Sequence, residues 1–167
     1  MSPALRKSLL AGLAAAAMAA GLPLSSAVAA TATTTFSVTA EVVTTCNITS
    51  TNMAFGSYSG LLLNSTATLN ATCSTGTPYT IGLNAGTGTG ATVAVRKMKG
   101  PAAEELNYTL SQDAAHTINW GNTIGTDTVP GTGNGAVQPH TVFGQIPASQ
   151  FIQAGEYSDT ITVTLSF

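Results

Sequence analysis

The stretch Thr33-Thr34-Thr35-Phe36-Ser37-Val38-Thr39-Ala40-Glu41-Val42-Val43 alternates without a break. As an extended strand it turns Phe36, Val38, Ala40 and Val42 to one face and Ser37, Thr39 and Glu41 to the other. That two-residue period marks a half-buried strand, and the abundance of threonine and valine agrees with it. A terminal segment of this kind can pair with its own sheet or with the open sheet edge of another molecule. The rest of the chain then reads as a β-sandwich built to receive such a strand from a neighbour.

Upstream, Arg6 and Lys7 precede a charge-free apolar run over residues 9–22. Ala27-Val28-Ala29 supplies small residues at cleavage spacing, with Ala30 as the alternative last residue. The pattern is a secretory signal peptide over residues 1–30, and its apolar run is shorter than the roughly 20 residues of a bilayer span. Beyond it, Arg96, Lys97 and Lys99 face seven acidic residues, a net charge of −4. So few charges leave threonine, serine, asparagine and glycine to make the polar surface. They also leave no basic footprint for nucleic acid. Cys46 and Cys73 both lie in the exported part. A small even count in an oxidising compartment reads as one disulfide; the alternative is two buried free thiols.

Downstream, Thr44, Cys46 and Ile48 keep the parity of Phe36, and no glycine or proline separates the first segment from the first body strand. Met53 to Tyr58 is a short apolar piece. Residues 64–73 alternate with Ala67, Leu69, Ala71 and Cys73 on one face. Tyr79, Ile81 and Leu83 mark the next strand, and residues 84–90 a glycine-threonine loop. Residues 92–98 predict a strand with Val93 and Val95 inward, and Pro101 can open one helical turn. Leu106, Tyr108 and Leu110 alternate, Ile118 and Trp120 suggest a brief strand or bulge, and residues 122–140 read as loop. Val142, Gly144 and Ile146 make another short strand. The final stretch turns Tyr157, Ile161, Val163, Leu165 and Phe167 to one face. Seven or eight short strands with turn signals between them predict an all-β sandwich of immunoglobulin type.

The residues carry no enzyme signature. His116 and His140 sit in polar surroundings, with no His-Glu-x-x-His spacing for a metal and no Gly-x-Ser-x-Gly elbow. Gly82, Gly86, Gly88 and Gly90 precede no Gly-Lys-Ser/Thr, so they read as a mobile loop rather than a phosphate cradle. Arg96, Lys97 and Lys99 read as a solvated sheet edge. Trp120 could stack on a sugar but fits a packing role better. No cofactor is expected.

Several pieces taken in order resemble the spore coat protein U family, which includes subunits of archaic-type chaperone–usher pili. They are Cys46, Phe55-Gly56-Ser57-Tyr58, Cys73 with Gly76-Thr77-Pro78-Tyr79-Thr80-Ile81, Leu83 to Gly86, and Arg96 with Met98. Leu106-Asn107-Tyr108-Thr109-Leu110, Trp120-Gly121, Val142-Phe143-Gly144-Gln145-Ile146 and the terminal run from Gly155 to Leu165 complete the set. The resemblance implies an incomplete immunoglobulin-like sandwich completed by donor-strand exchange. Residues 31–45 would be the donor segment, with Phe36, Val38, Ala40 and Val42 as its inserting side chains. Residues 46–167 would be the pilin domain, with a groove beside Tyr157, Ile161, Val163, Leu165 and Phe167. A periplasmic chaperone would fill that groove first, and another copy or related pilin would replace it at an outer-membrane usher. The product would be a surface fimbrium supporting adhesion and biofilm formation. Two other classes remain open: a secreted adhesin or carbohydrate-binding module, and a spore or cell coat protein assembled without an usher.

Overall fold

The computed structural model describes residues 28–167. The export signal read over residues 1–30 lies outside them except for its last residues. The chain divides into two compact units, Met1–Ala40 and Glu41–Phe167. In the first, residues 28–40 are exposed and form no regular element.

The second unit carries eight strands: β1 (Cys46–Ser50), β2 (Leu63–Cys73), β3 (Pro78–Leu83), β4 (Arg96–Lys99), β5 (Glu105–Ser111), β6 (Val129–Thr132), β7 (Gln138–Ile146) and β8 (Val163–Ser166). One sheet runs β1-β2-β7-β5-β4 and the other β6-β3-β8, and all neighbours are antiparallel. Alternate residues from both sheets meet in one core: Ala67, Leu69, Ala71 and Cys73 from β2, Tyr79, Ile81 and Leu83 from β3, Leu106, Tyr108 and Leu110 from β5, Val142 and Ile146 from β7. This is the two-layer immunoglobulin-type sandwich that the alternation predicts. The parity of β2, β3, β5 and β7 is the predicted one, because burying one face of a strand fixes its register against a one-residue slip.

The apolar piece Met53 to Tyr58 forms no regular element; Met53, Phe55 and Tyr58 pack on the core, and Met53 and Phe55 lie where a Cβ on Gly144 would stand. Three stretches depart from the sequence reading. Only Arg96–Lys99 of residues 92–98 is a strand, with Arg96 buried and Val95 46 % exposed, so the inward parity is the reverse of that expected. Residues 122–140 are not all loop: they contain β6 and the start of β7. Pro130 and Gly131 disguise β6, which tolerates a proline because it pairs on one side alone. Pro139 likewise lies where β7 pairs only with β2, since β5 reaches no further than Phe143. Finally, the terminal strand is four residues long; before it, Ser158 bridges Lys99 at the edge of β4 and the chain then crosses to β3. The short helical turn is present as a 3-10 turn at Pro101–Ala103.

Candidate functional site

Burial is graded across the sandwich, and the gradient marks a site. The inward side chains Ala67, Leu69, Ala71 and Cys73 of β2, Tyr79, Ile81 and Leu83 of β3, Leu106, Tyr108 and Leu110 of β5, and Val142 and Ile146 of β7 are no more than 9 % exposed. Those of β1 (Cys46, Ile48) and of the last segment (Ile161, Val163, Leu165) pack on the same core yet stay half-buried. β1 ends the larger sheet and β8 ends the smaller one, and the two edges approach each other. Along this side β8 pairs only with β3, so one row of its backbone N–H and C=O groups meets no strand among the described residues. An edge with unpaired backbone groups over half-covered aliphatic side chains is a feature to which an extended segment can add.

The groups behind this edge hold it rigid. Asp159 has the inward parity of the terminal run but is no apolar residue. Its Oδ1 accepts from Thr87 N (2.7 Å), Thr87 Oγ1 (2.8 Å) and Thr160 N (2.7 Å), and its Oδ2 from Tyr108 Oη (2.7 Å). Burial pushes the carboxyl up, but the donated hydrogen bonds outweigh it and leave the pKa below the ordinary carboxylate value. A Cβ on Gly86 would collide with that carboxylate, so the loop needs glycine there. Burial, with Asp159 adding to it, drives the Tyr108 phenol pKa upward. Arg96 is fully buried. Its Nε donates to Asn84 O (2.9 Å), Nη1 to Val93 O (2.8 Å), and Nη2 to Leu83 O (3.1 Å) and Trp120 O (2.7 Å). Burial lowers its pKa to about 10, with Tyr108, Asp159 and Asp127 opposing. Trp120 is buried and donates from Nε1 to Ile81 O at 2.9 Å, which makes it a core peg rather than a sugar platform.

The sequence-predicted residues fall as follows. Cys46 and Cys73 face each other across β1 and β2 and are disulfide-bonded. The bridge ties the edge strand β1 to the centre of its sheet. Phe36, Val38 and Val42 are 86, 82 and 91 % exposed, Ala40 is exposed, and none lies in a strand. Tyr157, Ile161, Val163 and Leu165 are half-buried, whereas Phe167 is 62 % exposed at the chain end. Of the basic cluster on the edge strand β4, Lys99 is exposed and Lys97 pairs with Glu105 at 2.8 Å, but Arg96 is buried rather than solvated. His140 lies in β7 rather than in a loop, with Nε2 2.9 Å from Tyr79 Oη and its pKa lowered by burial. Sequence reasoning missed Asp159 and Arg96, which break the apolar alternation. Their one legible signal is their place inside otherwise apolar runs.

Among the described residues no three His, Cys, Asp or Glu side chains gather as a metal site.

The fold resembles a chain in the CsuC–CsuE chaperone–tip adhesion subunit pre-assembly complex from archaic chaperone-usher Csu pili of Acinetobacter baumannii. The match has a TM-score of 0.57 and 23 % identity, over 75 % of this chain and 40 % of that one. This chain thus spans about two-fifths of the solved chain it matches. HdaB, the E. coli Hda pilus minor tip subunit, matches at a TM-score of 0.38 and 17 % identity, over 71 % of this chain and 79 % of that one. Protein U of Myxococcus xanthus is 34 % identical over 160 residues, covering 86 % of this chain and 89 % of that protein. The family profile of the Spore Coat Protein U domain matches residues 32–164, from the exposed alternating segment to the half-covered edge strand. The chain belongs to the Spore Coat Protein U domain family.

Proposed function

We propose that the chain is a structural subunit of a surface pilus that polymerises by inserting residues 33–43 of one copy into the open edge of the next. The observation that carries this reading is the half-burial of Ile48, Ile161, Val163 and Leu165 along the two sheet edges that approach each other. An exposed segment of alternating sequence, Phe36 to Val42, precedes the sandwich in the same chain. Each copy has one strand to give and one place to receive, so association is head-to-tail and open-ended. A single periplasmic chaperone strand would protect the edge before assembly, and an outer-membrane usher would exchange it. The exported fibre would support adhesion and biofilm formation.

All existing pairs are antiparallel, the ladder that is slightly more stable per residue. An antiparallel donor sets Phe36 opposite Phe167, Val38 opposite Leu165, Ala40 opposite Val163 and Val42 opposite Ile161. Both runs span the same length, about 20 Å at strand rise, and the smallest donor side chain meets a β-branched one.

Val38→Asp and Thr39→Asp test the reading. The first places an unpaired charge in an apolar seat, a cost that blocks insertion; the second places the same charge on the solvent face. Val38→Asp should abolish sedimentable surface fibres, and Thr39→Asp should leave them near the wild-type amount. Full-length fibres from Val38→Asp would mean that assembly does not use this strand.

A further inference from the structure

Donor exchange, on which this inference rests, fixes which end of one copy meets which end of the next. In the register above, Val42 of the incoming copy lies beside Ile161. Residues 43–45 follow and span at most about 10 Å. Cys46 then opens β1 of the incoming body. The end of that body holding Cys46, Cys73 and Gln138 therefore abuts the end of the receiving copy that holds Leu63 and Ile146.

The receiving end carries an unexplained apolar cap. Leu61, Leu62 and Phe151 are 73, 54 and 86 % exposed. They sit on two loops that hold each other. Ser149 N donates to Gly60 O (2.9 Å), Tyr58 Oη donates to Pro147 O (2.6 Å), and Gln150 N donates to Tyr58 Oη (3.1 Å). Gly60 has φ +87°, and a Cβ there would stand 3.0 Å from Phe151 Cε1, so the ring lies against the glycine. Ser149 adopts φ 68°, an unfavourable conformation for a residue with a Cβ, and its N–H is committed to this clasp. The loops are thus fixed while their largest side chains face water. The opposite end of the molecule exposes Val137 (61 %), beside Gly135, whose N–H donates to Cys73 O. Phe167, also exposed, ends β8 at the same end.

We propose that Leu61, Leu62 and Phe151 form a second subunit contact, docking on the end of the next copy that exposes Val137, where Phe167 is itself covered by Phe36 of the following donor. Its role is to hold consecutive bodies against each other once the donor strand is seated. The occupant is a second copy because the three-residue link leaves no room for another partner between the bodies.

The test uses fibres sheared from cells expressing the full chain. Leu61→Ser combined with Phe151→Ser should fold normally, since both side chains are exposed. Its fibres should form but dissociate in denaturant roughly tenfold to a hundredfold faster than wild type, the effect of losing two apolar contacts on an off-rate. Leu61→Cys with Val137→Cys in one chain, treated with a short bismaleimide, should give a covalent ladder from fibres and none from monomer. Val38→Asp fibres equal to wild type would overturn donor exchange and this inference together. Blocked Val38→Asp assembly, with wild-type dissociation of the Leu61/Phe151 variant and no ladder, would overturn this inference alone. So would fibres unchanged in stability that lose only their retention on polystyrene, which would make the cap a surface-binding site.

Discussion

Arg96 is the residue on which the two halves of the core converge. A guanidinium needs several acceptors in fixed directions, and Asn84, Val93, Leu83 and Trp120 supply four carbonyls and no carboxylate. The charge is tolerated because each N–H direction used meets an oxygen, which offsets much of the desolvation. Arg96→Met leaves those carbonyls without a donor and should lower the stability in urea unfolding by about 1–3 kcal/mol for each buried carbonyl that finds no other partner. Arg96→Lys should recover little of it, because one ammonium cannot reach four divergent carbonyls. A lysine variant as stable as wild type would show that charge rather than geometry is what the site requires.

At the scale of elements, β1 is, like β4, an edge strand of the larger sheet. It pairs on one side only, with β2, and its inward face is half-covered. The Cys46–Cys73 bridge, closing a separation of 27 residues, stabilises the fold by about 3.5 kcal/mol in the chain-entropy account. Replacing both cysteines by serine should lower the unfolding free energy by about 2–4 kcal/mol. It should also raise amide exchange at Asn47 and Thr49, whose N–H groups face β2 in this register, before it affects β7. Unchanged exchange in β1 would mean that pairing with β2 alone secures this strand. The half-length of β8 has its cause at this scale too. Asp159 is drawn to Thr87 and Tyr108, so the chain runs beside β4 at Ser158 before joining β3 at Val163.

For the whole molecule, acid should weaken the fold in two steps. Burial holds the His140 pKa below its ordinary 6.5, so below about pH 6.5 the unfolded chain takes up the proton first and stability is lost. Hydrogen bonds outweighing burial hold Asp159 below its ordinary 3.8. Its contribution is therefore complete above that value and disappears as pH falls through the folded-state pKa. Unfolding midpoints measured from pH 8 to about 2 should fall across both ranges. His140→Gln should flatten the upper step and Asp159→Asn the lower. A profile unchanged by Asp159→Asn would place the acid-labile group elsewhere. With Lys97–Glu105 the only ion pair among the described residues, these hydrogen-bonded groups should dominate the pH response.

The sequence by itself determined the sandwich and the inward faces of β2, β3, β5 and β7. Period-two alternation is a local signal, and burial of one face leaves each strand a single register. Tertiary structure alone decided four other matters: that Arg96 turns inward, that Asp159 interrupts the terminal strand, that Pro130 and Pro139 lie in strands, and that Leu61, Leu62 and Phe151 gather at one end. The carbonyls that accept from Arg96 come from distant segments, and so do the donors around Asp159. A proline is tolerated in a strand only where no second neighbour pairs with it. Which strands are edges, and which loops meet, depends on how the two sheets close on each other, and no run of neighbouring residues encodes that closure.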